Sequence, residues 1–304
     1  LTASALAADD PATSDQEISP MLCDICATEM RRDILPETFH CPSCGFYKSS
    51  LAVQINASAR IDETAREQAL KPIRTANFRQ ILDECGTLIP AGGTLLDVGC
   101  AHGWFMEAAT ARGFKAVGIE PDIVMAKRAM EAGNYVKVGL FPEVLGPDEK
   151  FDAISFNDVF EHLPDVISMA NAVHAHLRPG GVAIINLPVS EGVVFRTARI
   201  AARAGFTGPL QRMWQQGLPS PHLSYFSAET LGRLMQRAGF SLLRQGSIEA
   251  IATDGLYERI RYDKKMSAAK ASAYLVAAHI MRAVGHVAPS DINYFAFRKI
   301  EASH

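Results

Sequence analysis

No apolar run in this chain is long enough to span a bilayer. The longest apolar-rich stretch, 271–284, carries His279 and Arg282, whereas a membrane helix needs about 20 mostly apolar residues. An excess of charge of one sign is missing too: 30 basic and 33 acidic side chains leave a net charge of −3. Nothing in that balance points to nucleic acid as a partner, although local patches remain compatible with it. The first 20 residues, LTASALAADDPATSDQEISP, hold four acids and no basic residue. They lack the charged start and apolar core of a secretory signal, and their composition reads as a disordered lead. At 304 residues, the chain has room for one ordinary domain with attachments.

Cysteine is scarce, yet four of the six cysteines fall within 22 residues. CDIC at Cys23–Cys26 and CPSC at Cys41–Cys44 flank a 14-residue connection. Each C-x-x-C knuckle can place two sulfurs on one tetrahedral ion, with a short β-ribbon between the knuckles. The spacing therefore predicts a zinc ribbon over 21–50, with Cys23, Cys26, Cys41 and Cys44 as ligands. Four thiolates close the coordination sphere, so this Zn2+ is structural and activates no water. A disulfide pair is the competing structure. It suits an oxidising compartment, whereas the rest of the chain reads as a cytoplasmic enzyme with reduced thiols. Of the two remaining cysteines, Cys85 reads as a helix core residue.

Downstream, 51–93 reads as a helical connector. Its apolar face over Asp62–Leu88 comprises Ala65, Ala69, Ile73, Phe78, Ile81 and Leu82, and Pro72 is expected to break or offset the helix. From Thr94 the pattern alternates. Strands are expected at Thr94–Val98, Ala116–Ile119, Tyr135–Val138, Ala153–Asn157 and Gly181–Asn186, with helices at Trp104–Arg112 and Asp122–Ala132. Such alternation predicts a parallel sheet covered on both faces. LRPGG, at Leu177–Gly181, reads as a helix-ending turn. A helix at Ala228–Ala238, a strand at Phe240–Gln245 and the terminal strand INYFAFRKI complete the domain, 94–304. Residues 189–227 and 251–290 exceed what the sheet needs and read as insertions, the second mostly helical.

The most informative stretch is LLDVGCAHGWF, Leu95–Phe105: a buried strand, a small-residue turn and a helix start. Gly99, Ala101 and Gly103 let a ligand approach the backbone. The dinucleotide fingerprint G-x-G-x-x-G does not fit, because its later glycines would fall on Ala101 and Trp104. Glu120 ends the second strand, 17 residues after Gly103, about where a carboxylate receives both hydroxyls of a ribose. DVGCAHG, this acid, FDAISFNDVFEHL and LRPGGVAIINLP occur in that order and interval. Together they resemble the class I S-adenosylmethionine-dependent methyltransferases, from about Leu95 to Pro188 and more loosely to Ile300.

The resemblance implies an α/β, doubly wound, Rossmann-like seven-stranded sheet whose last strand is antiparallel, preceded here by the small zinc ribbon. It implies S-adenosylmethionine as cofactor. Asp97, Gly99, Cys100, Ala101 and Gly103 would hold its amino-acid part, Glu120 with Pro121 its ribose, and Phe156, Asn157 and Asp158 would line its pocket. Ala101 replaces the family's usual glycine, and Gly139–Phe141 lack the polar residue that commonly meets adenine.

His222, in GLPSPHLSYFSAETL, is the first candidate for a base or acceptor-binding group, and His162 is the second. The phrase around His222 resembles enzymes that methylate small polar molecules or saccharides, with O-methylation the expected outcome. Ser227 reads as the following helix's N-cap. Arg196, Arg199 and Arg203 share a helix face that reads as solvated or could meet phosphate, and Trp214 with Met213 reads as an aromatic wall or as core. Two other readings fit the same motifs: an RNA methyltransferase docking through its ribbon, and a cofactor-binding protein without catalysis.

Overall fold

A computed structural model describes residues 21–54, 63–250, 272 and 289–301. The lead at 1–20 and almost all of the insertion at 251–290 lie outside the described residues. The central strands are apolar on both faces, as strands covered by helices on each side must be. β4 (Thr94–Val98) pairs in parallel with β5 (Lys115–Glu120) and β7 (Phe151–Asn157). β6 (Val136–Val138) lies beyond β5, and β8 (Leu177–Pro188) lies beyond β7. β10 (Phe240–Ile248) and β11 (Ile292–Lys299) complete the order β10-β11-β8-β7-β4-β5-β6. β11 runs antiparallel to both neighbours, as expected for the last strand.

Alternate residues divide the sheet's two faces. Leu95, Ala153, Ile184 and Tyr294 pack against α1 (Glu63–Cys85) and α2 (Trp104–Thr110) through Phe78, Ile81 and Phe105. Leu96, Phe156, Ile185 and Phe295 face the other way, toward α4 (Val166–His176) and α7 (Ala228–Arg237). α3 (Ile123–Glu131) covers the β5–β6 edge. Cys85 is fully buried at the end of α1. Contrary to expectation, α1 continues through Pro72. Pro72 is exposed, so the ring that cannot donate to the ladder sits on the helix's solvent side. LRPGG does not end α4 as a separate turn either. β8 begins directly at Leu177, and a register shift opposite Phe151–Ala153 absorbs the extra residues.

The ribbon is not an appendage. β1 (Arg31–Arg32), β2 (Thr38–His40) and β3 (Tyr47–Ser49) form an antiparallel sheet whose fourth strand, β9 (Ser224–Tyr225), comes from the insertion at 189–227. Tyr47 pairs with Tyr225 and Lys48 with Ser224. The Ser49 N–H donates to the Leu223 carbonyl at 2.9 Å, and Ser49 Oγ donates to the His222 carbonyl at 2.9 Å. Cys23, Cys41 and Phe46 belong to the same apolar core as Phe160 and Phe226.

The rest of the insertion forms α5 (Val193–Arg203) and α6 (Gly208–Met213). The three α5 arginines do not act together. Arg196 and Arg203 are exposed, but Arg199 is buried, paired through both guanidinium nitrogens with Asp33 and stacked 4.4 Å over Tyr47. Its role is to tie α5 to the ribbon, so it is withdrawn from any phosphate-binding face. Trp214 is fully buried core, while Met213 lines a cavity.

α7 starts at a reciprocal cap. Ser227 Oγ accepts the Thr230 N–H at 3.1 Å, and Thr230 Oγ1 accepts the Ser227 N–H at 2.8 Å. Ser227→Ala is expected to cost about 1 kcal/mol in urea unfolding. An unchanged midpoint would show that the cap adds nothing to the packing of α7.

Candidate functional site

The carboxyl ends of β4, β5 and β7 open onto two adjoining cavities of about 970 and 1120 Å³, which share Gly99, Ala101, Glu120 and Asn157. A crevice at this end of a parallel sheet is where open α/β folds bind ligands. The β4–α2 turn depends on backbone that few residues adopt. Gly99 has φ +70°, and a Cβ there would meet Val159 Cγ2 at 2.6 Å. Ala101 itself sits at φ +45°, a left-handed conformation that costs a non-glycine residue about 1–2 kcal/mol. Glu120 helps to hold it: its carboxylate accepts the Ala101 N–H at 2.8 Å and the Asp122 N–H at 2.9 Å.

Asp97 is the end of a buried polar relay across three strands. Ser155 Oγ and Asn157 Nδ2 both donate to Asp97 Oδ1 at 2.8 Å, and Asn186 Nδ2 donates to Asn157 Oδ1 at 3.0 Å. Both donors converge on one oxygen and neither is cationic. Burial pushes the Asp97 carboxyl up to about 7, against the pull of the Ser155 and Asn157 bonds and with Glu120 adding to the rise. Burial also raises Glu120, opposed by its two backbone donors. Such a pair of acids is suited to a ligand that brings a cation and hydroxyls.

The larger cavity runs on to Glu161, His162 and His222. His162 and Glu161 lie on the 3₁₀ turn Phe160–His162 after β7, and His222 lies on the loop that leads into β9. The two imidazoles meet edge to face, with ring centroids 4.8 Å apart. His222 Nδ1 lies 3.1 Å from the Tyr225 hydroxyl, which donates to the Met213 carbonyl at 2.8 Å. Burial, with His162 adding to it, pushes His222 down to about 3, so its ring is neutral at physiological pH. Burial and the nearby Asp158 hold Glu161 well above the usual carboxylate range. Asp158 itself is at φ +54° and pairs with Arg74 at 3.0 Å.

The structure thus brings Asp97, Gly99, Cys100, Ala101, Glu120, Pro121, Asn157, Asp158, His162 and His222 to the cavity walls. Gly103 stands behind the loop as the residue capping α2, with Asn134 against it. Phe156 is corrected. It is fully buried on the opposite side of β7, packed edge-on against Phe141 and Phe160, and lines neither cavity. In a strand covered on both faces, an apolar residue carries no sign of which face it takes.

Sequence reading missed Glu161 as a cavity residue. It also missed Arg74 on α1, Gln215 and Tyr225 in the insertion, and Leu51–Val53 just after the ribbon, all of which line the larger cavity. A lone acid beside His162 was visible; the others reach the site only through tertiary packing.

The four ribbon cysteines form no disulfide, and their sulfurs lie within 4.8 Å of one another. Cys23 and Cys44 are 3.6 Å apart, and Cys26 and Cys41 are 3.5 Å apart. Four thiolates about 2.3 Å from one ion stand just under 4 Å from each other in a tetrahedron. The set therefore fits zinc.

A family model described as "Methyltransferase domain" matches residues 70–245. An uncharacterized methyltransferase from Mycobacterium sp. (strain KMS) is 37% identical over 109 residues, 34% of this chain and 42% of that protein. A ubiquinone biosynthesis O-methyltransferase from Pseudomonas syringae pv. tomato is 32% identical over 128 residues, 38% of this chain and 53% of that protein. The chain spans about half the length of the curated relatives it matches. Among solved structures, the complex containing the Haloferax volcanii Trm112 methyltransferase activator matches with a TM-score of 0.57 at 16% identity, covering 80% of this chain and 97% of that one. The cyclopropane synthase MmaA2 from Mycobacterium tuberculosis matches with a TM-score of 0.50 at 20% identity, over 82% and 90%. These two likenesses concern the fold.

Proposed function

The chain belongs to the methyltransferase-domain family, and from that membership we propose that it moves the methyl group of S-adenosylmethionine to an oxygen of a small-molecule or saccharide acceptor. The observation that carries the reading is the pairing of Asp97 and Glu120 on one cavity, beside a left-handed loop and open to a second, histidine-lined cavity. The cofactor supplies an electrophilic methyl on a sulfonium, whose departure leaves a neutral thioether. Asp97 meets the cofactor's ammonium and Glu120 its ribose hydroxyls, while Gly99, Cys100 and Ala101 present backbone. Pro121 and Gly139–Phe141 wall the adenine side, largely with apolar and backbone surface. In the transfer, an acceptor oxygen gains the C–O bond as the C–S bond breaks, and the hydroxyl proton passes to solvent water.

Alignment and exclusion of water supply most of what such a displacement needs from a protein. His162, His222 and Asp158 form the acceptor side. Buried as it is, His222 is better suited to receiving a hydrogen bond or a ligand atom than to removing a proton. The ribbon carries structural Zn2+ on Cys23, Cys26, Cys41 and Cys44. Through β9 and Leu51–Val53 it shapes the acceptor wall. The proposed site of action is the cytoplasm, where the ribbon thiols would stay reduced; among the described residues no helix is long and apolar enough to cross a membrane.

Labelled S-adenosylmethionine offered with nucleotide sugars, glycans, small phenols and RNA tests the acceptor class. Label in a small hydroxyl compound supports the reading; label in RNA alone overturns it. On the cofactor side, Glu120→Gln is expected to weaken S-adenosylmethionine binding about tenfold, through the lost charge on the ribose hydroxyls. Unchanged affinity by calorimetry would remove Glu120 from the cofactor site.

A further inference from the structure

We propose that Glu161, His162 and His222 form a binding site for one divalent first-row metal ion, distinct from the ribbon zinc and open to the acceptor cavity. Ligand-capable atoms of the three residues lie within 4.8 Å of one another, and all three line the larger cavity. Glu161 is 1% exposed and its Oε2 has no hydrogen-bond partner among the described residues. Leaving a buried carboxyl oxygen unpaired is costly, and a bound cation would pair it and hold the group ionised. The Arg74 guanidinium does not supply it by contact, because Arg74 pairs with Asp158 at 3.0 Å.

The protonation pattern of the two rings points the same way. His162 Nδ1 lies 2.9 Å from the Pro221 carbonyl oxygen. A carbonyl only accepts, so Nδ1 carries the hydrogen, which leaves Nε2 as the ring's ligand-capable nitrogen. That Nε2 lies 3.9 Å from Glu161 Oε1, so the ring nitrogen and the carboxyl group face the same buried gap. On His222 the logic repeats. Tyr225 spends its hydroxyl hydrogen on the Met213 carbonyl, so the Tyr225 oxygen accepts from His222 Nδ1. His222 Nε2 then holds a lone pair, met at 2.8 Å by the Gln215 amide nitrogen. Gln215 is a side chain of the cavity wall, and it would give way to an ion.

Outer partners that fix a histidine's tautomer, a carbonyl on one ring and a tyrosine on the other, are the usual support of metal-binding imidazoles. Two imidazoles and one carboxylate suit Zn2+ better than Ca2+ or Mg2+, which favour oxygen donors, and Mn2+ serves as the paramagnetic probe. Three protein ligands leave at least one position for an outside oxygen. The inference deepens the methyltransferase reading, and rests on it only for the identity of that oxygen: an acceptor hydroxyl, preferably one of a chelating neighbouring pair.

The test is metal analysis of the zinc-loaded full chain after dialysis against Mn2+ or Zn2+, with Mn2+ binding followed by electron paramagnetic resonance. The wild type is expected to hold two metal equivalents per chain, one in the ribbon and one here. Glu161→Gln and His162→Asn are each expected to weaken the second equivalent by about tenfold or more, with ribbon zinc retained. One equivalent in the wild type overturns the proposal whatever the variants do, and so does a second equivalent that both variants bind unchanged. S-adenosylmethionine binding measured on the same samples separates the two ideas. If it persists without a second metal, only the metal site fails; if it is absent from the wild type, the methyltransferase reading fails.

Discussion

Replacing Cys41 by serine is expected to release the zinc proposed for the ribbon and reduce the proposed methyl transfer at least about 100-fold, while S-adenosylmethionine still binds. Cys41 is fully buried and reaches the site through a chain of contacts. Its ribbon carries β3, β3 pairs with β9, and the loop entering β9 carries His222. Ser49 holds the His222 and Leu223 carbonyls directly, and the Gln54 N–H holds the Pro219 carbonyl at 2.7 Å. Losing the metal frees the ribbon strands and with them one wall of the acceptor cavity. The β4–α2 loop, proposed to hold the cofactor, is fastened elsewhere, by Glu120 and by the backbone of β5. The signature is therefore a collapse of turnover with cofactor affinity changed by no more than a few-fold. Hydrogen exchange over 219–225 should quicken in parallel. A variant that loses zinc yet turns over normally would separate the ribbon from the site.

Asp97→Asn is expected to stabilise the cofactor-free protein and to weaken S-adenosylmethionine binding about 100-fold, the scale of one charged hydrogen bond in a buried site. The wild-type carboxyl has a pKa of about 7 in the fold against 3.8 ordinarily. The folded state thus holds a proton that the unfolded state has already released, and this group's contribution to stability falls as pH rises from about 4 to 7. Asparagine carries no such penalty, so its advantage over the wild type should be absent near pH 4 and reach a few kcal/mol by pH 8. Cofactor binding has the opposite sign. An incoming ammonium favours ionised Asp97, so wild-type affinity should rise between pH 6 and 7, and the rise should vanish in the variant. Thermal melts and calorimetry across that range read both effects.

The β4–α2 turn, Asp97 and Glu120 at the cavity wall were legible because their determinants are local. Strand, small-residue turn, helix and an acid 17 residues beyond Gly103 are all short-range features. The ribbon cysteines were legible for the same reason, since two knuckles encode one tetrahedron. What escaped depends on contacts between distant segments. Asp33 meets Arg199, 166 positions away, and Ser49 meets His222 across 173. No periodicity announces such pairings, so the arginine helix looked like a solvated or phosphate-binding face. Phe156 was misplaced because β7 is buried on both sides. Pro72 was misjudged because a helix can carry a proline when the ring faces solvent.

The most direct measurement is calorimetric titration of S-adenosylmethionine into the wild type and the Asp97→Asn variant at pH 7.5. The account predicts one cofactor per wild-type chain, with affinity about 100-fold lower in the variant. No binding to the wild type, or equal binding to both proteins, would contradict it.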